Sequence, residues 1–465
     1  MTTTIESFGV DEALIRRFDR PGPRYTSYPT ADRFHEGFDA RTHVKWLDHR
    51  NRIESNKPLS LYVHLPFCAS ICYYCACNKV ITKDHSRSGK YLDYLEREIK
   101  LQTSYLPNSR RITQMHFGGG TPTFLNPAEL SRLMRMLRDH FDFDPKGEYA
   151  IEIDPRSADE KVIHLLADLG FNRMSIGVQD FDPAVQKAIH RIQPESMTMA
   201  TLATARACGF KSINMDLIYG LPKQTPAGFS RTLDRVLEAA PDRLALYSYA
   251  HLPERFKPQR RIDPADMPSA EVKLEIMLMA INRMLNAGYQ FIGMDHFARV
   301  DDELAVAQRR GSLHRNFQGY TTQAECDLLA LGVSSISKVG ASFSQNVKTL
   351  DEYYDCLDRG VLPVARGIEL SGDDLIRRDV IMELMCQGDL SMEAIGHSHG
   401  VVFQEYFAKE LVQLKESFEP EEMLSVSVDR IQIMPKGRFF LRGIAMVFDR
   451  YFQSQINPNR FSKLI

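Results

Sequence analysis

Short apolar runs alternate along this chain with longer stretches in which apolar residues recur every third or fourth position. Seven runs predict buried strands: 60–67 (SLYVHLPF), 112–120 (ITQMHFGGG), 149–155 (YAIEIDP), 173–179 (RMSIGVQ), 212–220 (SINMDLIYG), 243–250 (RLALYSYA) and 289–297 (YQFIGMDHF). Helical spacing fills 88–106, 127–141, 158–171, 197–210 and 225–240 between them. Asn126-Pro127 and Thr225-Pro226 are start signals, and Gly170 and Gly209 are stops. Strand–helix alternation implies parallel strands covered by helices, in a barrel or an open doubly wound sheet. Either architecture collects its chemistry at the carboxyl ends of the strands. The polar and Gly-rich clusters of this chain fall there: Cys68–Cys77, Gly118–Gly120, Glu152–Arg156, Gln179–Asp180 and Asp216–Gly220.

The rhythm sets an expected division of the chain. Residues 1–50, with DRPGPRYTSYPTADRF, read as an extended arm that covers the active site. Residues 51–305 hold the barrel, and 306–370 an active-site loop and connecting region. Residues 371–465 form a small C-terminal domain, mainly helical and winged-helix-like, with a short strand pair and a final helix.

Composition narrows the class. With 465 residues, 43% apolar and 25% charged, the chain is an ordinary globular protein, neither fibrous nor disordered. A net charge of −2 excludes a uniformly basic nucleic-acid binder. No apolar run reaches the roughly 20 residues of a bilayer span, and the first residues lack a secretory pattern. The expectation is a cytoplasmic protein, monomeric by default, that binds neither nucleic acid nor membrane. Eight cysteines are too few for a disulfide scaffold, yet Cys68, Cys72, Cys75 and Cys77 fall within ten residues. Cys208, Cys326, Cys356 and Cys386 are scattered and read as small buried hydrophobes.

Cys68-x3-Cys72-x2-Cys75 directly follows a strand. Thiolates are the preferred ligands of iron–sulfur clusters and zinc. A structural zinc site usually pairs two Cys-x2-Cys knuckles, and no second knuckle follows here. Three cysteines cannot saturate a cluster of four irons, so one iron would stay open to a chelating ligand. Cys77 is either a fourth ligand, which would close that iron, or a residue lining the site; the second reading is favoured. Glycines at 118–120 let a ligand approach the backbone closely. Tyr62 and His64, two apart on one strand, share a face.

The triplet resembles the signature of the radical S-adenosylmethionine enzymes. The likeness extends through YVHLPFC, GGGTPT (118–123), EIDPR (152–156), GVQDF (177–181) and DLIYGLP (216–222). These segments are similar to the coproporphyrinogen oxidase branch and its heme-chaperone relatives. Cys77, the arm PGPRYTSYPT and the loop RNFQGYTT favour the oxidase over the chaperone alternative. The resemblance implies an α/β fold with an incomplete parallel (β/α)6-type barrel. It implies a [4Fe-4S] cluster on Cys68, Cys72 and Cys75, and S-adenosylmethionine at its open iron. Reductive cleavage would give a 5′-deoxyadenosyl radical. Two propionates of coproporphyrinogen III would then become vinyl groups, giving protoporphyrinogen IX without oxygen. The family implies S-adenosylmethionine contacts at Tyr62, Tyr74, Gly119, Gly120, Thr121, Glu152, Gln179, Arg191 and Asp216. Ala250, Phe317, Gln318 and Ile336 match residues around a second S-adenosylmethionine. Tyr62, Cys77, Glu152 and Gln318 are the expected catalytic set, and a flavodoxin or ferredoxin the expected type of electron donor.

Overall fold

The computed structural model describes residues 9–53, 56–108, 110–323 and 326–452. They form two compact units: a sheet unit, Phe34–Ser269 with Glu325–Glu369, and a C-terminal unit, Met1–Arg33 with Ala270–Ala324 and Leu370–Ile465.

In the sheet unit, strands β1 (Leu59–Leu65), β2 (Arg111–Gly119), β3 (Asp142–Ile153), β4 (Arg173–Gln179), β5 (Ser212–Tyr219) and β6 (Arg243–Ser248) lie side by side in chain order. Each runs parallel to the next. Helices Ser86–Ser104, Pro127–His140, Glu160–Asp168, Glu195–Ala207 and Pro226–Ala239 connect them. Local chemistry fixes where these begin. Asn126 and Glu129 make a reciprocal capping box, and the Thr225 hydroxyl accepts the Gly228 N–H.

Beyond β1 the sheet continues through β7 (Asp327–Leu331), parallel to β1, and then antiparallel β8 (Ile336–Val339), β9 (Ser342–Asn346) and β10 (Val364–Glu369). Among the described residues no ladder joins β1 to β6, so the six-strand parallel barrel is incomplete.

Period-two alternation explains how this sheet carries a site. Leu61, Val63, Leu65, Met115, Phe117, Ile151, Met215 and Leu217 take one set of alternate positions and are buried. Each such side chain contributes about 1.5–3 kcal/mol. The intervening positions hold Tyr62, His64, His116, Glu152, Ser175, Asn214 and Asp216, which bond or stack on one another across the strands.

Three expectations are corrected. The run 289–297 is not one strand but an antiparallel hairpin, Tyr289–Gly293 with His296–Arg299, in the C-terminal unit. Its turn uses Gly293 and Met294 at positive φ, and Met294 gives no turn signal in the sequence. The seventh parallel strand is instead β7, inside the stretch read as loop and connection. Residues 1–50 are not wholly extended. Glu12–Phe18 is a helix, and Ala40–Ile53 is a second that belongs to the sheet unit and buries His43, Leu47 and Arg50. The two units therefore cut across the linear division drawn from sequence.

In the C-terminal unit, helices Gly372–Cys386, Met392–His399 and Ala408–Ser417 accompany a three-stranded antiparallel sheet. The stretch read as a final helix is helical but broken into a 3-10 helix Lys436–Phe440, an α-helix Leu441–Ala445 and a 3-10 helix Met446–Phe448.

Candidate active site

The thiol loop leaves the end of β1 and is tied shut by a two-residue parallel ladder between Phe67–Cys68 and Val80–Ile81. The Lys79 ammonium donates to the carbonyls of Cys75 (3.0 Å) and Cys77 (3.3 Å). The far side of the loop is pinned as well. The Tyr73 N–H donates to the Ile189 carbonyl at 2.9 Å, and its ring stacks on His190 at 4.9 Å. Gln259 Nε2 donates to the carbonyls of Tyr74 (3.0 Å) and Ala250 (3.2 Å).

The Gly118–Gly120 run lies against this loop because no side chain would fit. A Cβ on Gly118 would meet Glu152 Oε1 at 2.8 Å, and one on Gly120 the Pro66 carbonyl at 2.7 Å. Gly119 combines φ +115° with a Cβ position 2.7 Å from the His64 ring. The next residue, Thr121, donates its N–H to the Phe67 carbonyl (2.9 Å) and its hydroxyl to Cys68 Sγ (3.4 Å).

The thiols sit in unlike environments. Burial pushes Cys68 up to about 11. A hydrogen bond from Cys77 and the Lys79 ammonium bring Cys75 down to about 6, against burial. Two guanidinium groups reach Cys72 Sγ, from Arg156 at 3.4 Å and Arg191 at 3.7 Å. Both also bind Asp154, at 2.6 and 2.9 Å. Burial opposes the charge on Asp154, yet the two arginines hold its carboxyl below the usual range. Arg191 further donates to the Gly177 carbonyl (2.8 Å) and to Gln193 Oε1 (3.1 Å). Its guanidinium is thus committed to the frame that carries Cys72.

On the polar face, Glu152 bonds His116 at 3.2 Å, and Tyr62 stacks on His116 at 5.9 Å. The Tyr62 hydroxyl meets His64 Nδ1 at 3.2 Å while His64 Nε2 meets the Asn78 carbonyl at 3.0 Å. That pattern places the His64 proton on Nε2, and burial keeps the ring neutral. Asp216 accepts from Ser175 and Asn214, both at 2.8 Å. Burial, with Glu152 nearby, raises its carboxyl to about 6.

Gln179 closes β4 at φ +66°, 8% exposed, and its Oε1 has no hydrogen-bond partner among the described residues. The following turn is held by buried Asp180, which accepts from Thr232 (2.6 Å) and Gln224 (2.7 Å). Ile336 opens β8 opposite Gln345. Phe317 and Gln318 cap the hairpin His314–Asn316/Gly319–Thr321 in the C-terminal unit, where Asn316 Oδ1 accepts the Gln318 N–H at 2.8 Å.

Sequence reasoning gave no individual role to Asp154, Arg156, Asp180, His190 or Gln259. The first two stand inside a cluster it did single out, and the spacing Asp154-x-Arg156 beside a thiol loop was the available signal. Among the described residues no three His, Cys, Asp or Glu side chains are drawn together tightly enough for a single metal ion. Soft donors on one tied loop, cations at Cys72, a side-chain-free glycine strip and an orphaned amide at Gln179 fit a thiolate-bound cluster with a polar organic ligand beside it.

The parallel sheet, the thiol loop and its surroundings define a radical S-adenosylmethionine domain, and residues 62–236 match the Radical SAM superfamily. Residues 370–440 match the HemN C-terminal domain. An oxygen-independent coproporphyrinogen III oxidase of Pseudomonas aeruginosa is 51% identical over 457 residues, 98% of each chain. The protein of that name from Escherichia coli is 47% identical over 462 residues, 99% of this chain and 100% of the other. The solved structure of coproporphyrinogen III oxidase (HemN) from Escherichia coli, described as a radical SAM enzyme, superposes with a TM-score of 0.90, covering 95% of this chain and 99% of that one. The chain belongs to the oxygen-independent coproporphyrinogen III oxidase family.

Proposed function

We propose that this enzyme converts two propionates of coproporphyrinogen III to vinyl groups without oxygen, yielding protoporphyrinogen IX for heme biosynthesis. The observation that carries the reading is the tied three-thiol loop after β1, in the same parallel sheet whose strand β4 ends at the unpartnered Gln179 amide oxygen. Full-length relatives at about half identity are oxidases by name, which disfavours the heme-chaperone alternative.

Cys68, Cys72 and Cys75 would hold the [4Fe-4S] cluster. When bound, the cluster and S-adenosylmethionine would supply abstraction of one propionate hydrogen atom; the substrate would then lose CO2 and pass one further electron to a one-electron acceptor, leaving the vinyl group. The protein's part is placement and exclusion of water. The Gly118–Gly120 backbone and Thr121 leave room for the amino and carboxylate groups of the ligand. Glu152, Gln179 and Asp216 offer it acceptors, and Tyr62 and Tyr74 offer it ring faces. Arg191, framed by Asp154 and Arg156, directs a guanidinium N–H at the Cys72 sulfur. Ala250, Phe317, Gln318 and Ile336 serve a second S-adenosylmethionine. Tyr62, Cys77, Glu152 and Gln318 are the catalytic side chains of this reading, and Cys77 lines the site without holding iron.

An electron-donor protein of flavodoxin or ferredoxin type, a monomeric state, a cytoplasmic setting and an arm closing over the site complete the proposal. No described helix is long and apolar enough to cross a membrane.

The test is anaerobic reaction with coproporphyrinogen III, S-adenosylmethionine and a reductant, read by protoporphyrin fluorescence after oxidation. Product formation with about four irons per chain is expected. Stoichiometric heme binding without product would overturn the reading. Cys77→Ser should keep its iron and lose turnover.

A further inference from the structure

The C-terminal unit gathers four arginines. Arg24 ion-pairs with Asp295 in the turn of the hairpin Tyr289–Gly293/His296–Arg299. Arg442 donates from Nε to the Pro23 carbonyl at 3.1 Å and from Nη2 to the Gly22 carbonyl. Arg315 lies over the Tyr320 ring, 4.7 Å from its centroid, and Arg438 is felt by that same phenol. The elements bearing them pack together: Phe291 stacks on Phe439 at 4.9 Å and His296 meets the Tyr320 ring edge-on at 5.6 Å.

This cluster is electrostatically lopsided. Burial, together with Arg24 and Arg315, lowers Arg442 to about 10 against the opposing pull of Asp295 and Tyr25. Among the described residues Asp295 is the carboxylate that acts on Arg442, and it is ion-paired with Arg24. Two of the three Arg315 guanidinium nitrogens, Nε and Nη1, are enclosed without a hydrogen-bond partner among the described residues. Its remaining contact is with the Tyr320 side chain, and enclosed guanidinium donors left without acceptors are costly. Such strain persists in proteins where a ligand relieves it, and the planar fork of arginine matches a carboxylate.

We infer that the arginine cluster centred on Arg315, with Arg24, Arg438 and Arg442, is a carboxylate-binding site that takes a propionate side chain of the tetrapyrrole. The inference deepens the proposed function and rests on it. Arg315 supplies the unmet donors, and the other three supply the field that favours an anion.

The test uses the full chain, reconstituted anaerobically, as wild type, Arg315→Met and Arg315→Lys. Binding of coproporphyrin III, the fluorescent oxidised tetracarboxylate, is compared with its tetramethyl ester and with competition by sodium propionate and sulfate. Arg315→Met should weaken coproporphyrin III about 10-fold or more and raise the KM for coproporphyrinogen III by a similar factor. It should leave kcat and the cleavage of S-adenosylmethionine near wild type, and Arg315→Lys should recover part of the affinity. The ester should bind weakly and alike to all three proteins. Melting of ligand-free Arg315→Met should be equal to or above wild type, because two enclosed donors without acceptors have gone. A lower melting temperature with unselective loss of every activity would make Arg315 structural and overturn the site. Equal affinity and KM in wild type and Arg315→Met would do the same. Stabilisation by sulfate without discrimination between acid and ester would show a small-anion site only, also overturning the assignment. A wild-type protein that makes no protoporphyrin defeats the proposed function itself, whatever Arg315 does.

Discussion

Gln179 holds a left-handed backbone conformation, and its buried amide oxygen has no hydrogen-bond partner among the described residues. Glycine would adopt that conformation at no cost, so a side chain retained there points to a use for it. Gln179→Gly should stabilise the ligand-free protein by about 1 kcal/mol and weaken S-adenosylmethionine about 10-fold, measured by denaturant melts and equilibrium binding. Asp216 makes a parallel case through protons. Its carboxyl is raised to about 6 by burial, from 3.8. Between those values the folded state holds more protons than the unfolded one, so stability falls as pH rises through this window. The loss is absent below it and complete above it. Asp216→Asn should therefore gain up to about 3 kcal/mol at pH 7.5 and almost nothing at pH 4, while binding S-adenosylmethionine more weakly. Melts of the ligand-free protein at both pH values check the first part. Both residues trade stability for a polar surface that a ligand can use.

At the scale of elements, the end of β2 decides whether the thiol loop can form. Gly119→Ala puts a methyl group against the His64 ring at φ +115°, and should cost about 2–4 kcal/mol and much of the bound iron. Gly89→Ala, in the helix Ser86–Ser104, meets only Glu129 Oε1 at 4.0 Å and should gain about 0.5–1 kcal/mol. Iron content and melting temperature separate the two. A second junction sits where β1 and β7 end. Buried Glu98 accepts from the Gly332 N–H (2.7 Å), the Tyr353 hydroxyl (2.6 Å) and Asn346 Nδ2 (2.8 Å). Tyr91 bridges the His64 carbonyl and the Val333 N–H. Glu98→Ala strands three donors and should cost about 3–5 kcal/mol, read from denaturant melts. Strands β1 to β6 were legible because their apolar positions carry no turn residues inside the run, and their polar positions fall at every second residue. Period two also put Tyr62 beside His64. The hairpin at 289–299 was not legible, since Met294 turns the chain without Gly, Asn or Pro chemistry. β7 was missed because a polar, aromatic stretch leads into it. The Gly-Gly-Gly run was visible, but its reason was not: the bodies it would strike, Pro66 and His64, come from β1 and the thiol loop. Arg191 was singled out, yet its engagement with Asp154, Gln193 and Cys72 depends on three segments that only the fold brings together.

At the scale of the molecule, the two units give ligands separate addresses. S-adenosylmethionine read at Tyr62, the glycine strip, Glu152, Gln179 and Asp216 belongs to the sheet unit. A carboxylate at Arg315 belongs to the C-terminal unit. Binding adds stability only where it occurs, by about 2.7 kcal/mol at a free ligand concentration 100 times Kd. Hydrogen exchange of the cluster-loaded protein should therefore resolve the two. Low S-adenosylmethionine should slow exchange near 62–81, 118–123, 152–156, 177–191 and 214–220. Coproporphyrin III without S-adenosylmethionine should slow it near 22–25, 293–299, 314–321 and 436–442. Because Phe317 and Gln318 lie on the hairpin 314–321, a second S-adenosylmethionine has its own signature there. Protection of that hairpin should emerge in a later, weaker step of the titration, after the sheet unit is saturated. If the hairpin stays unprotected at every concentration while the sheet unit responds, one molecule of S-adenosylmethionine binds at a time. The two propionates must then react in successive rounds of exchange.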